Sequence, residues 1–205
     1  MEFPFSLEAQ GTIRLAHDGD FRHLEWHGGA DLRSFYEASW HAHQKDESTV
    51  LIADMGGFPI GQIVIIWGGK QNHPHFPDLQ SLRVHPAFRG LGIGSRLLEA
   101  AETLAAERGF SQVGLSVGLD NPHARRLYER LGYESTNAIY DDEWSYIDQN
   151  GNEVHNVERV TDLVKKIGVH IQSNEAMRAE DVQNRNPQAP ELTAQTPRNF
   201  AKNPA

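Results

Sequence analysis

An arginine and three glycines lie close together near the middle of the chain, at Arg89, Gly90, Gly92 and Gly94. They come directly before an amphipathic stretch that predicts a helix ending at Gly109. A glycine-rich loop that leads into a helix exposes the free N–H groups of the first turn, where the helix also carries partial positive charge. The arginine adds a cation. This spacing therefore predicts an anion site that suits a phosphate or a pyrophosphate.

Two common phosphate motifs do not fit this loop. A P-loop needs Gly-Lys-Ser/Thr at the start of the helix, and the chain has no lysine between Lys70 and Lys165. A dinucleotide fingerprint that began at Gly90 would need glycine where the chain has Ser95. The pattern that does fit is Arg-x-x-Gly-x-Gly, although a purely structural glycine loop also satisfies these few residues.

A longer stretch resembles the GNAT superfamily of N-acetyltransferases. The segment "LRVHPAFRGLGIG" matches the strand-to-loop signature of that family. The segment "NPHARRLYERLGYE" resembles its second signature, one helix and one strand later, in which an asparagine opens a helix that bears a tyrosine. The resemblance covers roughly residues 11–168 and is specific between residues 79 and 134. It implies a mixed α/β fold, with a mostly antiparallel central sheet that is splayed at a bulged strand and flanked by about four helices.

The same resemblance implies the residues that bind acetyl coenzyme A, the acyl donor. In that family the loop holds the pyrophosphate, and the backbone of the preceding strand pairs with the pantetheine arm. The implied contacts are Leu82, Arg83, Val84, Arg89, Gly90, Leu91, Gly92, Ile93, Gly94, Ser95, Asn121, Arg125 and Tyr128. Asn121 could serve as both helix cap and pantetheine contact, whereas a solvated surface charge is an equally open interpretation of Arg125.

The apolar pattern of the strand before the loop slips in phase. Leu79 and Leu82 are three residues apart, while Leu82 and Val84 are two apart. Such a slip favours a bulge, in which one extra residue bends the strand. In the resembling family a bulge opens the gap that admits the pantetheine arm.

Transfer of an acetyl group to an amine needs a neutral amine, a stabilised oxyanion and a proton for the departing thiolate. Tyr128 matches the family's tyrosine, which makes it the candidate general acid. It also lies on the apolar face of its helix with Leu127 and Leu131, so a structural role alone is the alternative.

The general base is less defined by the sequence. Many members of the resembling family have a glutamate on the bulged strand, where this chain has Gln80 and Ser81. Asp78, acting through water, is the candidate base, and His73 and His75 are alternatives. The two histidines lack a third ligand nearby, so no metal site is predicted.

A run of acids precedes two aromatic residues late in the chain, at residues 141–146. The acids are Asp141, Asp142 and Glu143, and the aromatic residues are Trp144 and Tyr146. In the resembling family this strand borders the acceptor site, where such residues would suit a cationic amine. A solvated acidic turn is the alternative.

Composition limits the function further. The 205 residues carry a net charge of −9, which argues against nucleic acid as the main partner, and no apolar run approaches the roughly 20 residues of a membrane span. The first ten residues lack the layout of a signal peptide, so we expect a cytoplasmic protein. The chain has no cysteine, which excludes a cysteinyl intermediate and favours direct transfer.

The sequence predicts one domain at residues 11–168, preceded by a short extension at residues 1–10. Residues 169–205 are rich in Asn, Gln, Pro and Ala, and we expect them to form a disordered tail. Within the domain we expect a first strand at residues 11–20, a helix at residues 31–47 and a hairpin that turns at Gly56-Gly57. A later hairpin is expected to turn at Asn150-Gly151.

The leading hypothesis is therefore an acetyl-CoA-dependent N-acetyltransferase that works by direct transfer in a ternary complex. Its acceptor would be a small-molecule amine or an amine of a peptide or protein, and a homodimer is possible. The alternative is a non-catalytic acyl-CoA-binding regulatory module, which the missing strand glutamate favours.

Overall fold

The computed structural model describes residues 10–27, 33–70, 75–148 and 150–168. The expected disordered tail at residues 169–205, most of the N-terminal extension and the candidate base His73 lie outside these ranges. The strands and α-helices are β1 (Thr12–Leu15), α1 (Arg33–Gln44), β2 (Ser48–Met55), β3 (Phe58–Ile66), β4 (Asp78–Val84), α2 (Ile93–Glu107), β5 (Gln112–Gly118), α3 (Pro122–Arg130), β6 (Glu134–Ile147) and β7 (Glu153–Lys166). Two 3-10 segments span Asp18–His27 and Pro86–Phe88.

The seven strands form one sheet in the order β1-β2-β3-β4-β5-β7-β6. Every neighbouring pair is antiparallel except β4 and β5, which are parallel. The prediction of a mixed α/β domain with a mostly antiparallel sheet is confirmed. None of the helices in the described ranges is long and apolar enough to cross a membrane.

Apolar residues cover both faces of the sheet, because side chains alternate between the faces along each strand. On the face that we call the α2 face, helices α2 and α3 cover a core that includes Ile63, Ile65, Leu97, Leu98, Leu115 and Leu163. On the opposite face, called the α1 face, α1 and the first 3-10 segment cover a smaller core that includes Leu24, Phe35, Tyr36, Ile52 and Trp144. The two faces of the sheet are therefore covered by different helices and have separate cores.

Strand β4 contains the predicted bulge. Gln62 of β3 lies opposite Arg83, whereas Val64 lies opposite Gln80, so β4 has one residue more than β3 between these pairs. Ser81 sits in this extra stretch with a φ of +52°, a conformation that non-glycine residues rarely adopt. The bulge turns the rest of β4 away from its regular course.

Strands β4 and β5 are joined only at their beginning. Asp78 pairs with Gly114, and the N–H of Gly114 donates to the carbonyl of Pro77 at 3.0 Å. Beyond this point β4 continues into the bulge and has no further pairing with β5 in the described residues. The sheet is therefore open between these two strands, as the predicted splay requires, and we call the Asp78–Gly114 pair the vertex of the opening.

The first strand is shorter than predicted, because an acidic turn interrupts it. Asp20 accepts hydrogen bonds from the backbone N–H of His17 at 2.8 Å and from the guanidinium of Arg14 at 2.7 Å. The chain therefore leaves the sheet after Leu15 and enters the ten-residue 3-10 segment, which was not predicted. The described residues contain three α-helices, α1, α2 and α3, where about four were expected.

The hairpin of β6 and β7 turns at Asn150 and Gly151, as predicted. Each of the two strands has 14 residues. Asp148 and Asn152 close the turn, and the Asp148 carboxylate accepts the backbone N–H groups of Asn150 and Asn152 at 2.8 Å.

Candidate active site

The loop that enters α2 has the backbone geometry of an anion cradle. Gly90 and Gly92 have φ values of +79° and +81°, and no side chain caps the helix at Gly92. The first bond inside the helix runs from the N–H of Arg96 to the carbonyl of Gly92 at 3.1 Å. The N–H groups of residues 93–95 precede this bond, so they are available to a ligand. The glycines are needed here because both positions are left-handed.

Arg89 and Arg125 are the two cations predicted near the phosphates. The Nε of Arg89 donates to the carbonyl of Val84 at 3.1 Å, which ties the loop to the end of β4. Arg125 forms an ion pair with Glu129 at 2.7 Å, one turn later on the exposed side of α3. Arg89 therefore lies at the cradle, whereas the described partner of Arg125 is a surface carboxylate.

The three β4 residues predicted to contact the pantetheine arm follow the bulge. Leu82 packs on the α2 face. Arg83 is buried on the α1 face near Tyr36, and burial lowers its pKa to about 10. Because β5 has separated from β4 at this level, the backbone edge at Leu82, Arg83 and Val84 faces the opening in the sheet.

Helix α3 begins as predicted. The side-chain oxygen of Asn121 accepts the backbone N–H of Ala124 at 3.0 Å, and Pro122 occupies the first helical position. This geometry confirms Asn121 as the helix cap. It also fixes the start of α3 directly after β5, beside the opening between β4 and β5.

Tyr128 packs from α3 against the core of the α2 face. Its ring meets the ring of Tyr133 edge-on, with centroids 5.9 Å apart. Its hydroxyl forms no hydrogen bond with any of the residues that the structure describes. Burial raises the pKa of Tyr128 to about 12, so the hydroxyl keeps its proton at neutral pH. A protonated hydroxyl without a partner is suited to donate to a ligand.

The raised pKa of Tyr128 predicts a pH dependence of stability. Burial favours the neutral phenol, so the stabilisation is complete below pH 10 and is lost as the pH rises from 10 to about 12. Tyr128→Phe cannot ionise and should lose less unfolding free energy over that window, by on the order of 1–2 kcal/mol. Urea unfolding of both proteins across the window measures this difference. If both proteins lose the same unfolding free energy over this window, the Tyr128 hydroxyl is not buried.

Asp78 lies at the vertex and is fully buried. Its Oδ2 accepts a hydrogen bond from the amide of Gln80 at 2.5 Å and lies 4.0 Å from the Nζ of Lys70. Gln80 occupies one of the positions where the resembling family often has a glutamate, and here it contacts the candidate base directly. Lys70 therefore lies within ion-pair distance of this carboxylate.

A polar cluster continues from Asp78 across the α1 face. Lys70 donates to the hydroxyl of Ser116 at 2.5 Å and lies 3.7 Å from Asp142. Ser116 and Tyr140 both donate to Oδ1 of Asp162, at 2.5 and 2.8 Å. The cluster joins β5, β6, β7 and the β3–β4 connection on the α1 face, beside the opening.

Sequence reasoning missed most of this cluster. Lys70, Ser116, Tyr140 and Asp162 come from four separate segments, and no local motif links them. One signal was available, because Asp162 interrupts an apolar strand as an ionisable residue and buried carboxylates are rarely left without partners.

The late acidic run is split by the alternation of β6. Asp142 and Trp144 lie on the α1 face, and Tyr146 stacks on Trp144 with centroids 5.8 Å apart. Asp141 points to the other side, where Arg159 binds it at 3.1 Å. Only part of the run therefore faces the site.

The alternative base His75 is exposed and lies in a turn before β4. Among the residues that the structure describes, no group of three His, Cys, Asp or Glu side chains could hold a metal ion.

The candidate acid and the candidate base lie on opposite sides of the opening. Tyr128 belongs to the α2 face, and Asp78 shares the α1 face with the polar cluster. The two candidates for proton transfer therefore approach the sheet from opposite faces.

Comparison with models of known families agrees with the observed fold. A model of the acetyltransferase (GNAT) family matches residues 15–133, which is more than half of the chain. The match includes the glycine loop, the opening and helix α3.

Solved structures share the fold at low sequence identity. Ribosomal-protein-alanine N-acetyltransferase from Brucella melitensis is 18% identical, with a TM-score of 0.57 over 76% of this chain and 99% of that one. Phosphinothricin acetyltransferase from Sinorhizobium meliloti, solved in complex with AcCoA, is 18% identical, with a TM-score of 0.57 over 77% and 89%. An N-acetyltransferase from Staphylococcus aureus is 12% identical, with a TM-score of 0.56 over 77% and 98%.

Proposed function

Since the chain belongs to the GNAT family of acetyltransferases, we propose that it transfers an acetyl group from acetyl coenzyme A directly to a primary amine. The observation that carries this proposal is the uncapped start of α2 at Gly92, next to the opening between β4 and β5. An anion cradle and an open strand edge side by side match the two ends of an acyl-CoA molecule. One of the structures with the same fold was solved with AcCoA.

The described residues fit this donor. The N–H groups of residues 93–95 and the guanidinium of Arg89 would hold the pyrophosphate, because helix starts and arginines both favour phosphate oxygens. The backbone edge at residues 82–84 would pair with the amide groups of the pantetheine arm. The bound donor supplies an activated thioester, whose sulfur leaves as a thiolate.

The proton transfers are assigned to the groups on the two faces. A lysine-like amine has a pKa near 10.4, so its deprotonation at pH 7 costs roughly 4.6 kcal/mol. Asp78 is assigned to receive that proton, because its carboxylate lies at the vertex of the opening between β4 and β5. Tyr128 is assigned to protonate the thiolate, because its phenol carries a proton at neutral pH and its hydroxyl forms no hydrogen bond with the described residues. Since the chain has no cysteine, the acetyl group is not passed through a cysteinyl intermediate.

A regulatory module that binds acyl-CoA without catalysis is the second candidate. The observation that favours it is Gln80, a neutral amide at one of the strand positions where many relatives have a glutamate. Its hydrogen bond to Asp78 reduces the weight of this argument, because a carboxylate is still present at the same point of the opening.

Release of free thiol separates the two candidates. We expect coenzyme A to bind to the full chain, and we expect at least one member of a panel of primary amines to release thiol from acetyl coenzyme A. Binding without release by any amine would favour the regulatory module. Absence of coenzyme binding would refute both.

A further inference from the structure

A cavity of about 400 Å³ lies where β5 ends, between the start of α3 and the β6–β7 hairpin. Its walls include Asp120, Asn121, Trp144, Asn156 and Glu158. This volume is in the range of small-molecule sites. Asn121 is also a proposed coenzyme contact, so the cavity adjoins the proposed acyl-transfer site.

Two carboxylates converge at the floor of this cavity, above Gly118. A methyl group placed on Gly118 would collide with Oε1 of Glu158 and would lie 2.7 Å from Oδ1 of Asp120. Because Gly118 has no Cβ, the carboxylates of Asp120 and Glu158 can both lie over its Cα. Like charges brought together at one point favour a cation between them.

Two hydrogen-bond donors in the same walls have no partner among the described residues. Trp144 is only 7% exposed, and its indole N–H donates to nothing. The amide nitrogen of Asn156 is also buried without a partner, and it lies beside Trp144 because the two residues pair across β6 and β7. Buried donors are normally satisfied, so both indicate an acceptor atom that enters the cavity.

Carboxylates continue from the cavity to the vertex. Glu158 lies directly opposite Asp142, an unfavourable pairing of like charges on the α1 face. Asp142 lies 3.7 Å from the Nζ of Lys70, which also lies 4.0 Å from Asp78. The path from the cavity to the candidate base is therefore negatively charged, which favours the approach of a cation.

A second concavity, of about 350 Å³, is lined by an ion pair within the chain. It lies beside α2 and the end of β7. There Glu102 accepts hydrogen bonds from the hydroxyl of Tyr133 at 2.9 Å and from Lys165 at 2.6 Å. Glu102 and Lys165 therefore already satisfy each other at this concavity.

We infer that the first cavity binds the acetyl acceptor, and that this acceptor is a small ammonium compound with a neutral oxygen, either a hydroxyl or an amide carbonyl. The inference rests on the proposed acetyl transfer and adds its substrate class. The ammonium pairs with Asp120 and Glu158, and the oxygen accepts from Trp144 and Asn156. A carboxylate in place of the neutral oxygen would be repelled by the two acids.

Calorimetric titration of the full chain tests this substrate class, with and without saturating coenzyme A, a donor product that cannot be turned over. Glucosamine and Nα-acetyl-lysine amide supply an ammonium with hydroxyl or amide oxygens. Hexylamine lacks oxygen, 6-aminohexanoate carries a carboxylate, and N-acetylglucosamine lacks the ammonium. We expect one of the first two to bind at least about threefold more tightly than each of the other three probes. The tighter of the two identifies the kind of oxygen.

Single substitutions connect that binding to the cavity walls. Glu158→Gln should weaken the preferred probe about tenfold, because it removes a charge-assisted hydrogen bond. Trp144→Phe removes the indole N–H together with part of the ring system, so its effect on the preferred probe is compared with its effect on hexylamine, which cannot accept from the N–H. The preferred probe should weaken about threefold more than hexylamine does. Asp141→Asn is the matched control, because Asp141 lies on the opposite side of β6 with Arg159. Thermal melting confirms that each variant is folded.

Three results would overturn the inference: no probe binds to the wild-type chain, N-acetylglucosamine or hexylamine binds as tightly as the preferred probe, or Glu158→Gln binds like wild type. Coenzyme binding keeps these results apart from a failure of the proposed function. If coenzyme A binds and thiol is released but the probes are not distinguished, only the substrate class is wrong. If coenzyme A does not bind, the proposed transfer itself is wrong.

Discussion

A Gly92→Glu variant should lose its affinity for acetyl coenzyme A by at least about 100-fold and still fold. Gly92 is the cap position of α2, with a φ of +81°, and the space where a side chain would start is open. A glutamate there would place its carboxylate among the N–H groups of residues 93–95, which the proposed pyrophosphate needs. The left-handed backbone costs roughly 1–2 kcal/mol for a residue with a side chain. A negative charge at a helix start offsets part of that cost.

Gly92→Gln is the matched control for this variant, because it has the same size and the same backbone strain without the charge. If repulsion of the pyrophosphate causes the loss of affinity, the glutamine variant should bind coenzyme A more tightly than the glutamate variant. Added salt should then reduce the difference in affinity between the two variants. Calorimetry with coenzyme A measures both affinities, and circular dichroism checks the fold. A folded Gly92→Glu protein that binds like wild type would remove the loop from the site.

Local sequence signals predicted the parts of the fold that depend on one residue type. Gly92 and Asn121 lie at the starts of α2 and α3. The left-handed backbone at the first position favours glycine, and the side-chain cap at the second favours asparagine. The bulge at Ser81 was visible as a slip in apolar phase, since a two-residue period cannot continue through an extra residue. These features are encoded within a few positions of the chain.

Contacts between distant segments could not be predicted in the same way. Lys70 meets Ser116 and Asp142 only after β4, β5, β7 and β6 have taken their places in the sheet. The turn at Asp20 likewise depends on Arg14, whose guanidinium it shares with Asp54 from β2. From the sequence, Lys70 and Asp20 could equally be exposed charges. Only the tertiary arrangement buries them beside their ion-pair partners.

The opening between β4 and β5 separates the features that local sequence predicts from those that depend on distant segments. The glycine loop and the tyrosine helix both lie on the α2 face, and their signatures are local. The acids that would receive the acceptor lie on the α1 face, and they are assembled from several strands. The signals behind the proposed donor site are therefore readable from the sequence, whereas those behind the proposed acceptor site need the structure.

Tyr128→Phe should lower turnover by about 10²–10⁴ with little change in the affinity for coenzyme A. The substitution removes one hydroxyl and keeps the ring that meets Tyr133. Because that hydroxyl makes no hydrogen bond within the described residues, its loss should not destabilise the fold at neutral pH. The magnitude is the usual contribution of a positioned general acid. The loss should be smaller if water replaces the phenol, since a thiolate leaves readily near neutral pH.

Tyr133→Phe provides the matched control, because it removes a hydroxyl from the adjoining ring. The hydroxyl of Tyr133 donates to Glu102 at 2.9 Å, away from the opening between β4 and β5. Its loss leaves a partly buried carboxylate short of one donor, which should cost about 1–3 kcal/mol of stability and leave turnover nearly unchanged. The two variants should therefore show opposite patterns in thiol release and in thermal melting. Wild-type turnover in Tyr128→Phe would show that this phenol only packs the α2 face, because a general acid cannot be removed without slowing the step that it assists.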